Sequence, residues 1–349
     1  MKITRRQFVQ VMAVAGASAL LTACGGSSNS TAGSGAAAAT GGNFNLKLGH
    51  NLAEDHAVHI QLTSFAEQVK EKTGGSVNIQ IIPNGTLGSE ADMISQIQAG
   101  ALDMAKVSAS TLGNFSEKYN AFSVPYVFND QAHYYSYMDS DSAKAVFEST
   151  DDQGFRGLTW LDSGARSFYT KATAIRTPAD LKGLKIRVQD MKSQTDMMNY
   201  LGGIPVAMSY GDVYTSLQTG IIDGTENNET ALTTGKHGEV CKVYSVDQHA
   251  MIPDVLIMSE KVWKQISPED QEIILEAAHN STEAHKVMWD TAIEEAVKEA
   301  QETMGVEFVY DVDKEAFREA TQPMIEAYEE QYPGVKTLMD TIEAAREGE

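Results

Sequence analysis

The chain has 349 residues, which is more than one hydrophobic core usually serves, so two domains are expected. Its 48 acidic residues outnumber its 27 lysines and arginines and give a net charge of −21. This balance argues against nucleic-acid binding, because phosphate affinity needs clustered cations. Two cysteines are too few for a disulfide framework or a cysteine-rich metal centre. No apolar run is long enough for an ordinary transmembrane helix.

The N-terminal segment is predicted to be an export signal followed by a tether. The pair Arg5-Arg6 precedes an apolar stretch over residues 8–21, and this order resembles a twin-arginine signal peptide. The stretch ends in Leu-Thr-Ala-Cys, which resembles the lipobox of bacterial lipoproteins, so we expect a signal peptide over residues 1–23 and a lipid on Cys24. Small and polar residues then predict a flexible linker over residues 24–43. An uncleaved apolar anchor with a chance cysteine is the alternative.

From Phe44 onward, predicted strands and helices alternate, which favours parallel sheets covered by helices. Ser267 and Pro268 provide a helix start, and nothing breaks the helix before Gly305. About 36 residues would span roughly 54 Å, so we expect one long helix lying across two lobes. The clearest predicted strands are residues 44–49, 77–82, 102–107, 155–161 and 184–189, and the clearest shorter helices are 54–72 and 90–99.

One internal similarity suggests that the two lobes share an architecture. Residues 96–103 parallel residues 216–223, and in both segments a helix ends at a glycine and a strand begins near an aspartate. Helix-to-strand turns often look alike, so chance similarity is the alternative. A shared architecture predicts two α/β lobes with a cleft between them.

Catalytic motifs are scarce, and two arginines are the main candidate site residues. Arg187 lies within a short apolar strand, and Arg166 follows a glycine where another strand is predicted to end. A guanidinium in these positions suits a ligand carboxylate, because ligands of parallel α/β sheets bind at the carboxyl ends of strands. Internal salt bridges are the alternative. Asn227 and Asn228 end a further predicted strand and could contact the same ligand, or they could be turn residues.

Three histidines form a second candidate site. His50, His56 and His59 lie close together in the sequence, which would permit a metal site if they converged with a further ligand. No such ligand stands at a fixed spacing, so packing or cleft-rim positions are favoured over metal capture.

Three segments carry a resemblance to a known family. Residues 163–166, 177–188 and 214–227 closely resemble the TRAP-transporter solute-binding proteins, the DctP family, and the similarity extends over about residues 44–340. The resemblance implies a two-lobed α/β periplasmic-binding-protein fold, type II-like, with a long helix spanning both lobes. Its expected limits are residues 44–164 with 253–292 for lobe I, and residues 165–252 with 293–349 for lobe II.

The resemblance also implies roles for individual residues. Arg187 matches the arginine that makes the main bidentate contact with a substrate carboxylate, Arg166 matches its supporting arginine, and Asn227 matches a further contact. Asn228 replaces the usual proline, and the segment around His249 looks more like members that bind sugar acids than like those for C4-dicarboxylates. A hydroxyl-rich ligand would use Glu90, Asn228 and His249 as donors and acceptors. Weaker expectations concern positions that vary with the substrate: Asn51 or its neighbour His50, Glu90, Ser108 and Tyr210.

The resemblance therefore implies an extracytoplasmic binding protein, held at a membrane by its lipid. It would capture an organic acid, with a uronate or similar sugar acid favoured, and deliver it to a pair of TRAP membrane subunits. No cofactor, no metal and no enzymatic activity are expected. A C4-dicarboxylate ligand of the same family is the main alternative, followed by an exported sugar-acid enzyme and a metal-capture lipoprotein.

Overall fold

The computed structural model describes residues 43–346. The predicted signal peptide, Cys24 and the linker up to residue 42 lie outside the described residues. The strands of the described part are β1 (Phe44–Gly49), β2 (Val77–Ile82), β3 (Met104–Ser108), β4 (Phe155–Leu161), β5 (Ala165–Thr170), β6 (Lys185–Val188), β7 (Ile204–Ala207), β8 (Gly224–Asn227), β9 (Val243–Met251), β10 (Asp254–Ser259) and β11 (Glu307–Val309). Its α-helices are α1 (Ala57–Lys72), α2 (Glu90–Ala99), α3 (Ala109–Leu112), α4 (Gln131–Met138), α5 (Asp141–Glu148), α6 (Lys192–Tyr200), α7 (Val213–Thr219), α8 (Thr230–Thr233), α9 (Glu260–Trp263), α10 (Pro268–Glu302), α11 (Lys314–Gln331) and α12 (Pro333–Arg346).

The strands form two sheets, and each sheet is the centre of one lobe. Lobe I contains the sheet β2-β1-β3-β10-β4, and lobe II contains the sheet β11-β9-β5-β8-β6-β7. The expectation of parallel sheets is only partly correct. Strand β10 runs antiparallel to β3 and β4, and β5 runs antiparallel to β8 and β9. The chain passes from β4 to β5 and from β9 to β10 between the two sheets, and each passage adds a strand in the reverse direction.

The long helix α10 connects the two lobes, as predicted. It has 35 residues and begins where Ser267 caps it, with the Ser267 Oγ accepting a hydrogen bond from the Asp270 amide. Ile274 and Ala277 are buried in the core of lobe I, packed against β1 and α1. Ala300 is buried in a core of lobe II. The expected two-lobed α/β fold with a helix across both lobes is therefore confirmed.

The two similar sequence segments have equivalent structures. Helix α2 ends at Gly100 with a φ of 74°, and α7 ends at Gly220 with a φ of 79°, a left-handed conformation that glycine adopts without strain. The Asp103 carboxylate accepts a hydrogen bond from the Lys47 amide at 2.8 Å, and the Asp223 carboxylate accepts one from the Lys185 amide at 2.8 Å. In each lobe the aspartate thus ties the end of a helix to the neighbouring strand.

The last helix differs from the predicted lobe limits, which placed residues 293–349 in lobe II. Val335 and Ile342 of α12 are fully buried in an aromatic-rich core of lobe I, and the Ile342 carbonyl lies 2.6 Å from the buried His133 Nε2. The apolar side of α12 therefore returns to lobe I after α11 has packed on lobe II. Between residues 43 and 346, no helix combines the length and the apolar content needed to cross a bilayer.

Candidate functional site

A cavity of about 370 Å³ lies between the two lobes. Ser108 ends β3, Asn227 ends β8, and Arg187 precedes the last residue of β6, so the cavity meets the carboxyl ends of parallel strands, where ligands of α/β sheets bind. Eight of the predicted site residues line it, namely Asn51, Glu90, Ser108, Arg166, Arg187, Tyr210, Asn227 and Asn228.

Within residues 43–346, Arg187 is a buried cation without an anionic partner at salt-bridge distance. Its guanidinium donates from Nε and Nη2 to the Met208 carbonyl, at 3.0 and 2.8 Å. No carboxylate of the described residues lies within salt-bridge distance of it, although its exposed fraction is only 3%. Burial lowers the pKa of Arg187, the Glu226 carboxylate opposes this from beyond salt-bridge distance, and the charge of Arg166 adds to the lowering. Because an arginine stays protonated in proteins, an anion in the cavity would offset the cost of burying this charge.

Arg166, in contrast, already has a carboxylate partner inside the protein. It donates to both carboxylate oxygens of Glu226, at 2.5 and 2.9 Å, and to the Asn227 Oδ1 at 2.8 Å. Burial alone would raise the pKa of Glu226, but the Arg166 charge and a neighbouring histidine lower it to about 2. The alternative of an internal salt bridge is therefore correct for Arg166 and does not apply to Arg187.

His249 lies behind this ion pair and does not line the cavity. Its Nδ1 is 2.7 Å from an Asp247 oxygen, and its Nε2 is 3.4 Å from a Glu226 oxygen. Its ring stacks on Phe168 with 4.6 Å between the ring centres. Burial would lower the pKa of His249, yet Asp247 and Glu226 raise it to about 9. The predicted direct ligand contact of His249 thus becomes a buried support for the ion pair of Arg166.

The wall of the cavity in lobe I is built around Lys106, which sequence reasoning missed. Its exposed fraction is 2%, and its Nζ lies 3.2 Å from Asn51, 3.4 Å from Glu90 and 3.1 Å from Asp254. Both Lys106 and Asp254 line the cavity. A lone lysine within the buried strand Met104–Ser108, and an aspartate directly before the apolar run of β10, are the sequence signals that could have found them.

The two asparagines at the end of β8 have different roles. The Asn227 Oδ1 accepts bonds from Arg166 and from the Asn228 amide, while its Nδ2 has no partner among the described residues and can donate to a ligand. The Asn228 side chain is used internally, because it donates to the Ser163 carbonyl and accepts from both the amide and the hydroxyl of Thr230. Asn228 therefore fixes the start of α8.

Two of the three histidines of the metal alternative, His50 and His59, lie together, and His56 is directed elsewhere. His50 does not line the cavity; its Nε2 lies 2.9 Å from the His59 Nδ1. His56 caps α1 and points instead to the Thr230 hydroxyl at 3.1 Å. Burial, with smaller contributions from Lys106 and other histidines, lowers the pKa values of His50 and His56 to about 3. Among residues 43–346, no group of three or more His, Cys, Asp or Glu side chains is placed to hold a metal ion.

The two lobes are joined by hydrogen bonds at residues that line the cavity. Gln189, which follows β6 in lobe II, donates to the Ser108 hydroxyl in lobe I at 3.0 Å. Asn114 of lobe I donates to the Asp190 carbonyl of lobe II at 2.9 Å. These contacts hold the lobes together over the cavity.

A cavity between two α/β lobes, lined by a buried guanidinium that no carboxylate of the described residues pairs with, is the arrangement of a solute-binding protein for anions. Residues 48–331 match bacterial extracellular solute-binding protein family 7, DctP, and the chain belongs to this family. The expected membership of the TRAP-transporter solute-binding proteins is thereby confirmed.

Relatives and solved structures support the assignment along most of the chain. An uncharacterised protein, YiiZ, of Salmonella typhimurium is 42% identical over 283 residues, covering 81% of this chain and 86% of that protein. A TRAP periplasmic solute-binding protein of Anaerococcus prevotii, solved with bound D-glucuronate, is 39% identical with a TM-score of 0.85, covering 87% of this chain and 98% of its own. One from a Sulfitobacter species, solved with β-D-galacturonate, is 34% identical with a TM-score of 0.82, covering 85% and 98% of the two chains.

Proposed function

We propose that this protein binds a sugar acid in the cavity between its lobes, with a hexuronate as the favoured ligand. The observation that carries the proposal is the buried guanidinium of Arg187, which has no carboxylate partner among the described residues. A planar guanidinium suits a carboxylate bidentately. The bound hexuronates of the two similar solved structures support the choice of ligand class.

In this proposal the ligand carboxylate binds Arg187. Glu226 holds Arg166 in place, and Arg166 in turn orients the Asn227 side-chain amide towards the ligand. The lobes then close by a hinge motion, and the closed form delivers the acid to the TRAP membrane subunits. The acidic net charge of the chain does not attract anions at long range, so capture depends on short desolvated contacts. Binding and release are sufficient, and no chemical step is part of the proposal.

The two units that move about this hinge are defined by the two sheets, one sheet in each unit. We take lobe I as residues 44–164 with 253–292 and 333–346, and lobe II as residues 165–252 with 293–332. This division keeps the predicted limits except for α12, whose buried residues belong to the core of lobe I.

We also propose that the protein acts outside the cytoplasm and is anchored by a lipid on Cys24. The support is the sequence order of paired arginines, apolar stretch and lipobox. Metabolic labelling with an alkyne fatty acid should mark the wild-type protein and leave Cys24→Ser unmarked. Equal labelling of both would contradict the anchor.

Isothermal titration calorimetry of the purified protein tests the ligand class. D-glucuronate or D-galacturonate should bind more tightly than succinate, and at about 100 times its Kd the ligand should add about 2.7 kcal/mol to the free energy of unfolding. Arg187→Lys keeps the charge but loses the planar fork, so affinity should fall about tenfold or more. Preferential binding of succinate, or consumption of the ligand, would contradict the proposal.

A further inference from the structure

The wall of the cavity formed by Lys106, Glu90, Asp254 and Asn51, here called the distal wall, has most of its hydrogen-bonding positions occupied within the protein. Glu90 Oε1 accepts from Asn51 and Lys106, and its Oε2 accepts from the Ser108 amide and the Thr111 hydroxyl at 3.0 and 2.8 Å. Two acceptor positions on each oxygen are thus filled. Glu90 therefore holds the distal wall in place and has little capacity left for a ligand.

Lys106 is saturated in the same way. An ammonium group has three donors, and those of Lys106 are directed to Asn51, Glu90 and Asp254. Asp254 is different, because its Oδ2 accepts from Lys106 while its Oδ1 has no partner among the described residues. The Asp254 side chain lines the cavity and is 5% exposed. An acceptor oxygen is therefore available in the distal wall.

The charge of the distal wall limits what can bind there. Lys106 supplies one positive charge against the two carboxylates of Glu90 and Asp254. Burial raises the pKa of Asp254, Lys106 opposes this, the carboxylate of Glu90 adds to the rise, and the charge of Arg166 opposes it. Of the lysines and arginines that line the cavity in the described part of the chain, Lys106 and Arg166 are paired there with carboxylates and Arg187 is not. A second ligand carboxylate at the distal wall would face the carboxylates of Glu90 and Asp254, and the described residues of this wall offer it no unpaired cation.

We propose that the distal wall is the subsite for an uncharged, hydroxyl-bearing end of the ligand, and that Asp254 Oδ1 accepts a hydrogen bond from a ligand hydroxyl there. The subsite selects monoanionic sugar acids and rejects dianions of similar size. The inference rests on the proposed function, because it needs the ligand carboxylate to bind Arg187 of lobe II.

Calorimetric titration of D-glucuronate and D-glucarate, its dianionic oxidation product, tests this subsite. The wild type should bind D-glucuronate at least about 100-fold more tightly than D-glucarate. Asp254→Asn keeps the shape and removes the charge, so D-glucuronate affinity should fall about ten- to a hundredfold and the glucuronate-to-glucarate ratio should shrink at least about tenfold. The wild type and Asp254→Asn are titrated with the same two ligands, so the effect of the difference in ligand shape cancels when their affinity ratios are compared.

Asp190→Asn is the matched control, because the Asp190 side chain is exposed at the cavity and the contact with Asn114 uses the Asp190 main-chain carbonyl, which the substitution keeps. It removes the same charge and should change the ratio less than about threefold. If Asp254 had only a structural role, Asp254→Asn would weaken the binding of both ligands alike and leave the glucuronate-to-glucarate affinity ratio unchanged. That result would overturn the inference and leave the proposal of uronate binding intact. Preferential binding of a dicarboxylate by the wild type would overturn the proposed function and this inference together.

Thermal unfolding of Asp254→Asn and Asp254→Ser shows whether each variant is folded. If neither variant folds, the relative affinity of the wild type for D-glucuronate and D-glucarate tests the inference. Equal affinity for D-glucuronate and D-glucarate overturns the inference, and strong preference for D-glucuronate supports it.

Discussion

Arg187 and Met208 are joined by two hydrogen bonds from the guanidinium to one main-chain carbonyl. This arrangement fixes the plane of the guanidinium and leaves its outer edge without a counter-charge. The nearby Arg166 has the opposite arrangement, because Glu226 neutralises it within the protein. Substitution of these two arginines should therefore have different effects on the free energy of unfolding.

Arg187→Met should leave the free energy of unfolding of the ligand-free protein unchanged or raise it. The substitution removes a buried charge that has no internal carboxylate partner. Urea denaturation without ligand measures the effect, and titration of the same variant should show hexuronate affinity reduced by at least about a hundredfold. Loss of several kcal/mol of ligand-free stability would show that the guanidinium has a structural role instead.

Arg166→Met should destabilise the ligand-free protein by about 3–5 kcal/mol, because it leaves the buried Glu226 carboxylate without its partner. The matched change of both residues, Arg166→Met with Glu226→Leu, should recover most of that loss. A double-mutant cycle in urea measures the coupling between the two side chains. Additive losses in the cycle would rule out the ion pair as a stabilising unit.

His249 should make stability fall as the pH rises above neutrality. Its folded-state pKa of about 9 exceeds the ordinary 6.5, so its contribution is complete below pH 6.5 and is lost as the pH rises towards 9. The shift corresponds to about 3 kcal/mol. The free energy of unfolding of the wild type should therefore fall more steeply between these pH values than that of His249→Gln. Parallel curves for the two proteins would mean that His249 is neutral in the folded state.

Gln189→Ala should favour separation of the lobes, since it removes the hydrogen bond to Ser108 across the cleft. We expect hexuronate affinity to fall about three- to tenfold, through a faster dissociation rate, with unfolding stability nearly unchanged. Stopped-flow measurement of ligand release provides the test. Asp212→Ala is the control, because Asp212 is an exposed lining residue of the cavity that is bonded to Ser209 of its own lobe. An equal change in both variants would show that the contact with Ser108 is unimportant.

Much of the fold was predictable because its signals are local. Periodicity placed strands such as Phe44–Gly49 and Val77–Ile82 within their observed limits, and the capped, unbroken run after Ser267 predicted the long helix. Strand direction was not predictable in the same way, because an apolar strand has the same pattern in either direction. The position of α12 depends on long-range burial of Val335 and Ile342, which no local signal indicates.

The site was predictable where a residue type is costly to bury. Arg187 and Arg166 are noticeable in apolar strands, and the family resemblance added Asn227. Sequence alone could not separate a paired arginine from an unpaired one, since the difference depends on a glutamate 60 residues away. The sequence also predicted a ligand contact for His249, whereas the structure places His249 behind the Arg166–Glu226 ion pair and outside the cavity lining.

The return of α12 to lobe I means that the described chain starts and finishes on the same lobe. Fluorescent labels attached near its two ends, in β1 and α12, would keep a constant separation while the cleft opens and shuts. A distance sensor for the solute therefore needs one dye on lobe II, for which the exposed Ile221 beside α7 offers a position. With its second dye on α12, such a sensor would convert capture of the acid into an optical signal.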